Sequence, residues 1–394
     1  MQRKNLCDMM TDRQIPRCGR YGCDMMAGCK SLSPPPKAAI LSQSKEPAQQ
    51  AIGRWNELAG GTTMLLRGLI VATSMLAWTG TVSAAETFRM GGGPSGGAWH
   101  PAWSAATQQL TKEIGGKYNF QYSPSQGSVE NVRRVRLGEL ASGWAHIPQI
   151  YEAWTGTGGF AKDGANQNFR ILANVQEQTQ IVAVLADSPI KSYQDMTGKV
   201  VNLLAKGSGS GVNCVNMFTA LGLMDKIDAR YLGFAAAGRA LADRQVDVYC
   251  SAGVPFTIPA LTEISLRKPV RYISLSPDEQ KKIVSSFKFY SPVTIPPQKD
   301  VKGVDAPALS IGYDVWWIVS KQVSDQAAYD MLKAIADPDK LKALSSTVST
   351  WQNLSGKFDS LKHHNIFVHP GAAKYWSERG VKVPAEIVKG HGSS

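Results

Sequence analysis

Glycine, serine and proline crowd one short stretch, Gly91-Gly92-Gly93-Pro94-Ser95-Gly96-Gly97, between a strand-like run at 87–90 and a helix-like pattern at 101–115. Strand, glycine-rich turn and helix start together make an anion cradle. Glycines let backbone N–H groups approach a ligand closely, and a helix N-terminus adds about half a unit of positive charge. Three chemistries use this form. Gly91, Gly93 and Gly96 satisfy the G-x-G-x-x-G of dinucleotide binding, but the acidic residue that should follow the second strand is missing after 118–122, where the chain reads Ser123-Pro124-Ser125-Gln126. Gly93-Pro94-Ser95-Gly96-Gly97 also reads as G-x-S-x-G, which would make Ser95 the nucleophile of a hydrolase. That fold places several strands ahead of its elbow, and here the elbow follows the first. The third chemistry is a carboxylate clamp in a binding protein, and the rest of the chain favours it.

The elements that must position such a clamp are strands alternating with helices. Strand-like runs occur at 87–90, 118–122, 143–147, 169–175 and 180–185, with amphipathic stretches at 101–115, 128–138 and 147–154. This alternation predicts an α/β fold of parallel sheets faced by helices. A second block repeats the pattern. A short helix at 192–196 precedes a strand at 199–204, a Gly/Ser turn at 205–211 and a helix at 212–221. Strands at 230–234 and 246–250 follow, with a helix at 238–244 between them. The proline- and lysine-rich 291–304 reads as a loop, before an apolar strand at 309–319 and a helix at 325–335. Two similar units predict two lobes with a ligand cleft between them: 86–186 with 305–394 as the first, and 187–304 as the second.

Composition narrows the class. The chain has 394 residues and a net charge of +12, but its basic cluster Arg133-Arg134-Val135-Arg136 lacks interleaved aromatics. That pattern is a solvated helix face and argues against a nucleic-acid partner. Met64-Leu65-Leu66-Arg67, an apolar run at 68–78 and the small residues Val82-Ser83-Ala84-Ala85 have the form of a secretory signal, and the apolar run is too short to span a bilayer. The reading expects translation to begin at Met64, with 1–63 a mis-called or disordered extension and the mature chain in the periplasm. Cys18, Cys23 and Cys29 in that extension are too widely spaced for a zinc ribbon. Export also bears on Cys214 and Cys250, which are either a disulfide closing a long loop or two buried free thiols.

Taken together, these residues resemble the TAXI group of substrate-binding subunits of tripartite ATP-independent periplasmic (TRAP) transporters. The resemblance is carried by Gly91 to Gly97 with Pro101, Gly127-Ser128-Val129-Glu130-Asn131 with Gly138, and Gly156-Thr157-Gly158-Gly159-Phe160. It continues through Gly209-Ser210-Gly211, Asp247, Gly253-Val254-Pro255, Ile295-Pro296 and His369-Pro370-Gly371-Ala372. It implies a two-lobed periplasmic-binding-protein fold of type II. It also implies delivery of a small organic anion, carboxylate or amino-acid-like, to a sodium-driven membrane carrier, with no cofactor, no metal and no chemistry on the ligand. Carried over by position, the ligand contacts are Ser95, Gly96, Gly97, Ser128, Asn131, Gly209 and Ser210. The chain departs from the family where paired tyrosines become Trp99-His100, a threonine becomes Val212 and Gln-Ser-Asp becomes His146-Ile147-Pro148. Trp99, His100 and His146 therefore join the candidate set, and the ligand is expected to be larger or less polar than glutamate. A serine hydrolase using Ser95 and a sensor signalling to a membrane kinase are the alternative readings.

Overall fold

Ten strands form one mixed sheet in this computed structural model, which describes residues 85–388. The expected extension at 1–63 and the signal segment as far as residue 84 lie outside the described residues. The strands are β1 (Glu86–Gly91), β2 (Tyr118–Ser123), β3 (Ser142–His146), β4 (Phe169–Leu185) and β5 (Val200–Asn202), then β6 (Asp228–Arg230), β7 (Val248–Gly253), β8 (Val270–Tyr272), β9 (Ser291–Ile295) and β10 (Ala308–Ser320). Their order is β2-β1-β3-β10-β4-β7-β5-β6, with β8 on β4 and β9 on β10.

Two long strands explain the two-lobed shape. β1, β2 and β3 are parallel to one another at one end, and β5, β6 and β7 at the other. Between them β4 and β10 run antiparallel, and each serves both halves. β10 pairs with β3 through Val315–Val319 and with β9 through Ala308–Gly312; β4 pairs with β7 and β8 through Thr179–Leu185. The protein is thus a two-lobed α/β fold whose two halves share β4 and β10.

The expectations at 169–175 and 180–185 merge into the single strand β4. The polar residues that separate the two apolar runs keep their ladder partners: Gln176 opposite Val315, Glu177 opposite Asp314, Gln178 opposite Tyr313 and Thr179 opposite Gly312. They are polar because they cross between the lobes. The sheet is also mixed and not parallel throughout, since an apolar run reports burial on both faces and is silent about strand direction. The stretch 291–304, read as a loop, contains β9. Pro292 is tolerated there because β9 pairs only with β10 and needs no second ladder.

Helices α1 (Trp99–Ile114), α2 (Ser128–Arg136), α3 (Ile147–Thr155), α4 (Gly209–Leu221), α5 (Phe234–Ala242), α6 (Pro259–Ser265), α7 (Pro277–Ser286), α8 (Asp325–Ala336), α9 (Pro338–Thr347) and α10 (Pro370–Glu378) cover the sheet. Trp103 of α1 and Trp144, Trp317 and Trp351 beneath it are fully buried and meet largely edge-on, with Trp144 and Trp351 centroids 4.5 Å apart. Such pairs add to area burial, and here they fix the first lobe directly under the glycine turn. Among the described residues no helix is long and apolar enough to cross a membrane.

Cys214 on α4 and Cys250 on β7 form a disulfide, their Cα atoms 6.1 Å apart and 36 residues apart in sequence. It ties the helix whose N-terminus enters the cleft to the strand behind it. The paired substitution Cys214→Ser with Cys250→Ser is expected to lower unfolding free energy by about 4 kcal/mol on the chain-entropy model. Denaturant melts check this, and a loss under about 1 kcal/mol would mean that the cross-link does not limit the unfolded chain.

Candidate ligand-binding cleft

Each side of the cleft is built from a turn that leads into a helix. After β1 the chain turns through 92–98, with the Gly97 N–H donating to the Pro94 carbonyl at 3.1 Å, and α1 starts at Trp99. A second turn feeds α2 from Gly127, whose φ of 100° suits glycine and few other residues. Ser125 links the two turns: its Oγ donates to the Gly92 carbonyl at 2.9 Å and accepts the Gly127 N–H at 3.1 Å. Across the cleft Ser208 caps α4, its Oγ accepting the Gly211 N–H at 3.0 Å.

First-turn N–H groups have no acceptor within their own helix. In α4 the Ser208 side chain takes the N–H of Gly211 and the Ser208 carbonyl takes that of Val212. The N–H groups of Gly209 and Ser210 are left without an acceptor among the described residues. Both residues line a cavity of about 50 Å3, together with Gly97, Trp99, Ser128 and His146 from the first lobe and Gln178 from β4. The second lobe adds apolar surface from Phe234, Ala252, Val254, Ile258 and Pro259. No Asp, Glu, Lys or Arg is among the lining residues.

His146, the one titratable lining group, is held neutral. Burial pushes its pKa from an ordinary 6.5 down to about 3, outweighing the opposing influence of the neighbouring Gln178 and Gln149 side chains. Its backbone N–H donates to Ser128 Oγ at 3.1 Å, and its Nδ1 faces Asn213 Nδ2 at 3.4 Å. The rings of Trp99 and Tyr313 close on it at centroid distances of 5.0 and 4.9 Å. Gln178 is buried, and its Oε1 meets no donor.

The cavity thus gathers Gly97, Trp99, Ser128, His146, Gly209 and Ser210 from the expected contacts, and four others stand apart. Ser95 and Gly96 are exposed and do not line it, Gly96 lying instead against Ala235 of α5. The His100 ring is 2.7 Å from the Tyr122 hydroxyl. Asn131 donates from Nδ2 to the carbonyls of Gly92 and Trp144, both at 2.9 Å, and so braces the first turn from behind. A glycine turn in sequence marks a cradle without saying which of its residues face inward. Gln178, Ser208 and Phe234 were missed. Ser208 had a local signal, an N-cap serine three residues before Gly211. Gln178 was visible only as a break in an apolar run, and Phe234 reads as a strand end but opens α5. His369 caps α10, its Nδ1 accepting the Gly371 N–H at 3.2 Å.

The Ser210 hydroxyl lines the cavity and makes no hydrogen bond within the described residues, so the fold does not depend on it. Ser210→Ala is expected to weaken ligand binding by roughly fivefold, the value of one neutral hydrogen bond, with the melting temperature unchanged. Calorimetric titration checks it, and wild-type affinity would remove Ser210 from the site.

The chain belongs to the NMT1-like family, whose model matches residues 90–380. Among solved structures it is similar to the periplasmic aliphatic sulphonate binding protein of Escherichia coli, at 14% identity over 77% of this chain and 91% of that one, with a TM-score of 0.41. It is also similar to the binding protein component of an ABC phosphonate transporter from Pseudomonas aeruginosa, at 12% identity over 77% and 92%, with a TM-score of 0.48. A putative L-cystine ABC transporter from Listeria monocytogenes is similar at 14% identity over 69% and 99%, with a TM-score of 0.43.

Proposed function

We propose that this member of the NMT1-like family is a periplasmic solute-binding subunit of the TAXI type, which captures a small organic carboxylate and hands it to a sodium-driven TRAP membrane carrier. The observation that carries the reading is the cavity at the β4–β10 crossing. It is lined from both sides by the starts of α1, α2 and α4 and by no ionised side chain. Donors of this kind, neutral and fixed by the backbone, suit a carboxylate that must be bound and then released. The order of the motifs from Gly91 to Ala372 supports the TAXI assignment. In this reading the lobes are 86–186 with 305–394, and 187–304, sharing β4 and β10, and a signal at 64–85 directs export.

Binding without chemistry follows from the same residues. Ser95 lies outside the cavity with no base bonded to it among the described residues, and the lining histidine is neutral. Proteoliposomes holding a TRAP-type membrane carrier, with this protein added, test the proposal. Carboxylate uptake is expected to require both this protein and an inward sodium gradient. Uptake that follows ATP and ignores sodium would overturn the carrier assignment.

A further inference from the structure

We infer that the cleft selects short monocarboxylates with an apolar tail over amino acids and dicarboxylates. The inference rests on the binding reading above and narrows its ligand. One carboxylate is served by the free N–H groups of Gly209 and Ser210 with the Ser210 hydroxyl. No side chain of opposite charge lines the cavity to neutralise a second ionised group. An α-ammonium group would be buried with no Asp or Glu among the lining residues, and a second carboxylate with no Lys or Arg. Burying an ion without a partner is among the costliest substitutions a site can meet. Beside the neutral polar Gln126 and Thr257, the wall includes Phe234, Ile258, Ala252, Val254 and Pro259, an apolar surface that suits a hydrocarbon chain. His146 adds no charge, because two aromatic rings enclose it and burial keeps it neutral.

Size sets the length of the ligand. At roughly 10–15 Å3 per water-sized group, the cavity of about 50 Å3 takes a carboxylate with a tail of a few carbons. The expectation of a less polar ligand than glutamate therefore stands as a proposal.

The test is a thermal-shift panel on the exported protein, with propionate, butyrate and valerate against alanine, glutamate and succinate, followed by titration of each. The monocarboxylates are expected to raise the melting temperature and to bind at least tenfold tighter than the other two classes. Affinity should rise about threefold to fourfold for each added methylene until the cavity is full. In Phe234→Ala that rise should flatten, an effect that a loss of folding alone does not produce. Glutamate or succinate binding as tightly as butyrate would overturn the selectivity and leave the binding function standing. Silence across all six compounds would overturn both.

Discussion

Gly209→Ala is expected to reduce ligand affinity by tenfold to a hundredfold while leaving the unfolding temperature of the free protein unchanged. Gly209 is the first residue of α4 and is not in the left-handed region, so alanine suits its backbone. The obstruction lies across the cleft. A Cβ at Gly209 would lie 2.6 Å from His146 Nδ1 and from Ser128 Cβ, and closer still to Ser128 Oγ. These atoms cannot easily retreat, because Ser128 Oγ is held by the His146 N–H and the His146 ring is wedged between Trp99 and Tyr313. Overpacking of this kind costs about 1–3 kcal/mol. The cheapest relief is for the lobes to stay apart, so the penalty falls on closure and therefore on binding. Calorimetry and a thermal melt, run together, check it. Wild-type affinity would show that the cleft does not close through Gly209. A large drop in melting temperature would show that the contact belongs to the fold itself.

His146→Gln is expected to make the protein more resistant to acid. The folded protein holds this histidine at a pKa of about 3, against 6.5 when it is free in solution. Below pH 6.5 the unfolded chain takes up a proton that the folded chain refuses. The stability associated with His146 is therefore complete above pH 6.5 and is lost as pH falls from there toward 3. The folding equilibrium shifts by up to tenfold per pH unit, or about three decades in all. Glutamine carries no titratable proton and removes this dependence. Denaturant melts of both proteins between pH 7 and pH 4 should converge as the pH falls, with the wild type losing its advantage fastest. Parallel curves would mean that the imidazole becomes charged inside the fold. The same neutrality predicts that the titration of His146 leaves ligand affinity unchanged between pH 5 and 8.

Much of this could be read before the coordinates because its causes are local. Gly91 to Gly97, Gly127-Ser128 and Ser208 to Gly211 announce helix starts through residue chemistry alone, and all three reach the cleft. Facing direction is not local. Ser95 turns outward and Asn131 turns back to brace Gly92, because the path of each turn is set by the strands and tryptophans below it. β4 escaped recognition as one strand because Gln176 to Thr179 are polar, and only the pairing with β10 shows why they continue it. Phe234 and the 252–259 wall come to the cavity through tertiary arrangement, which no periodicity in the chain records.

Isothermal titration of butyrate into the wild-type protein tests the central claim most directly. The structure calls for saturable heat with one site per chain and a negative heat-capacity change as the apolar tail leaves water. Heat that does not saturate, or no heat at all for any small carboxylate, would contradict the claim that the crossing of β4 and β10 is a carboxylate-binding cleft.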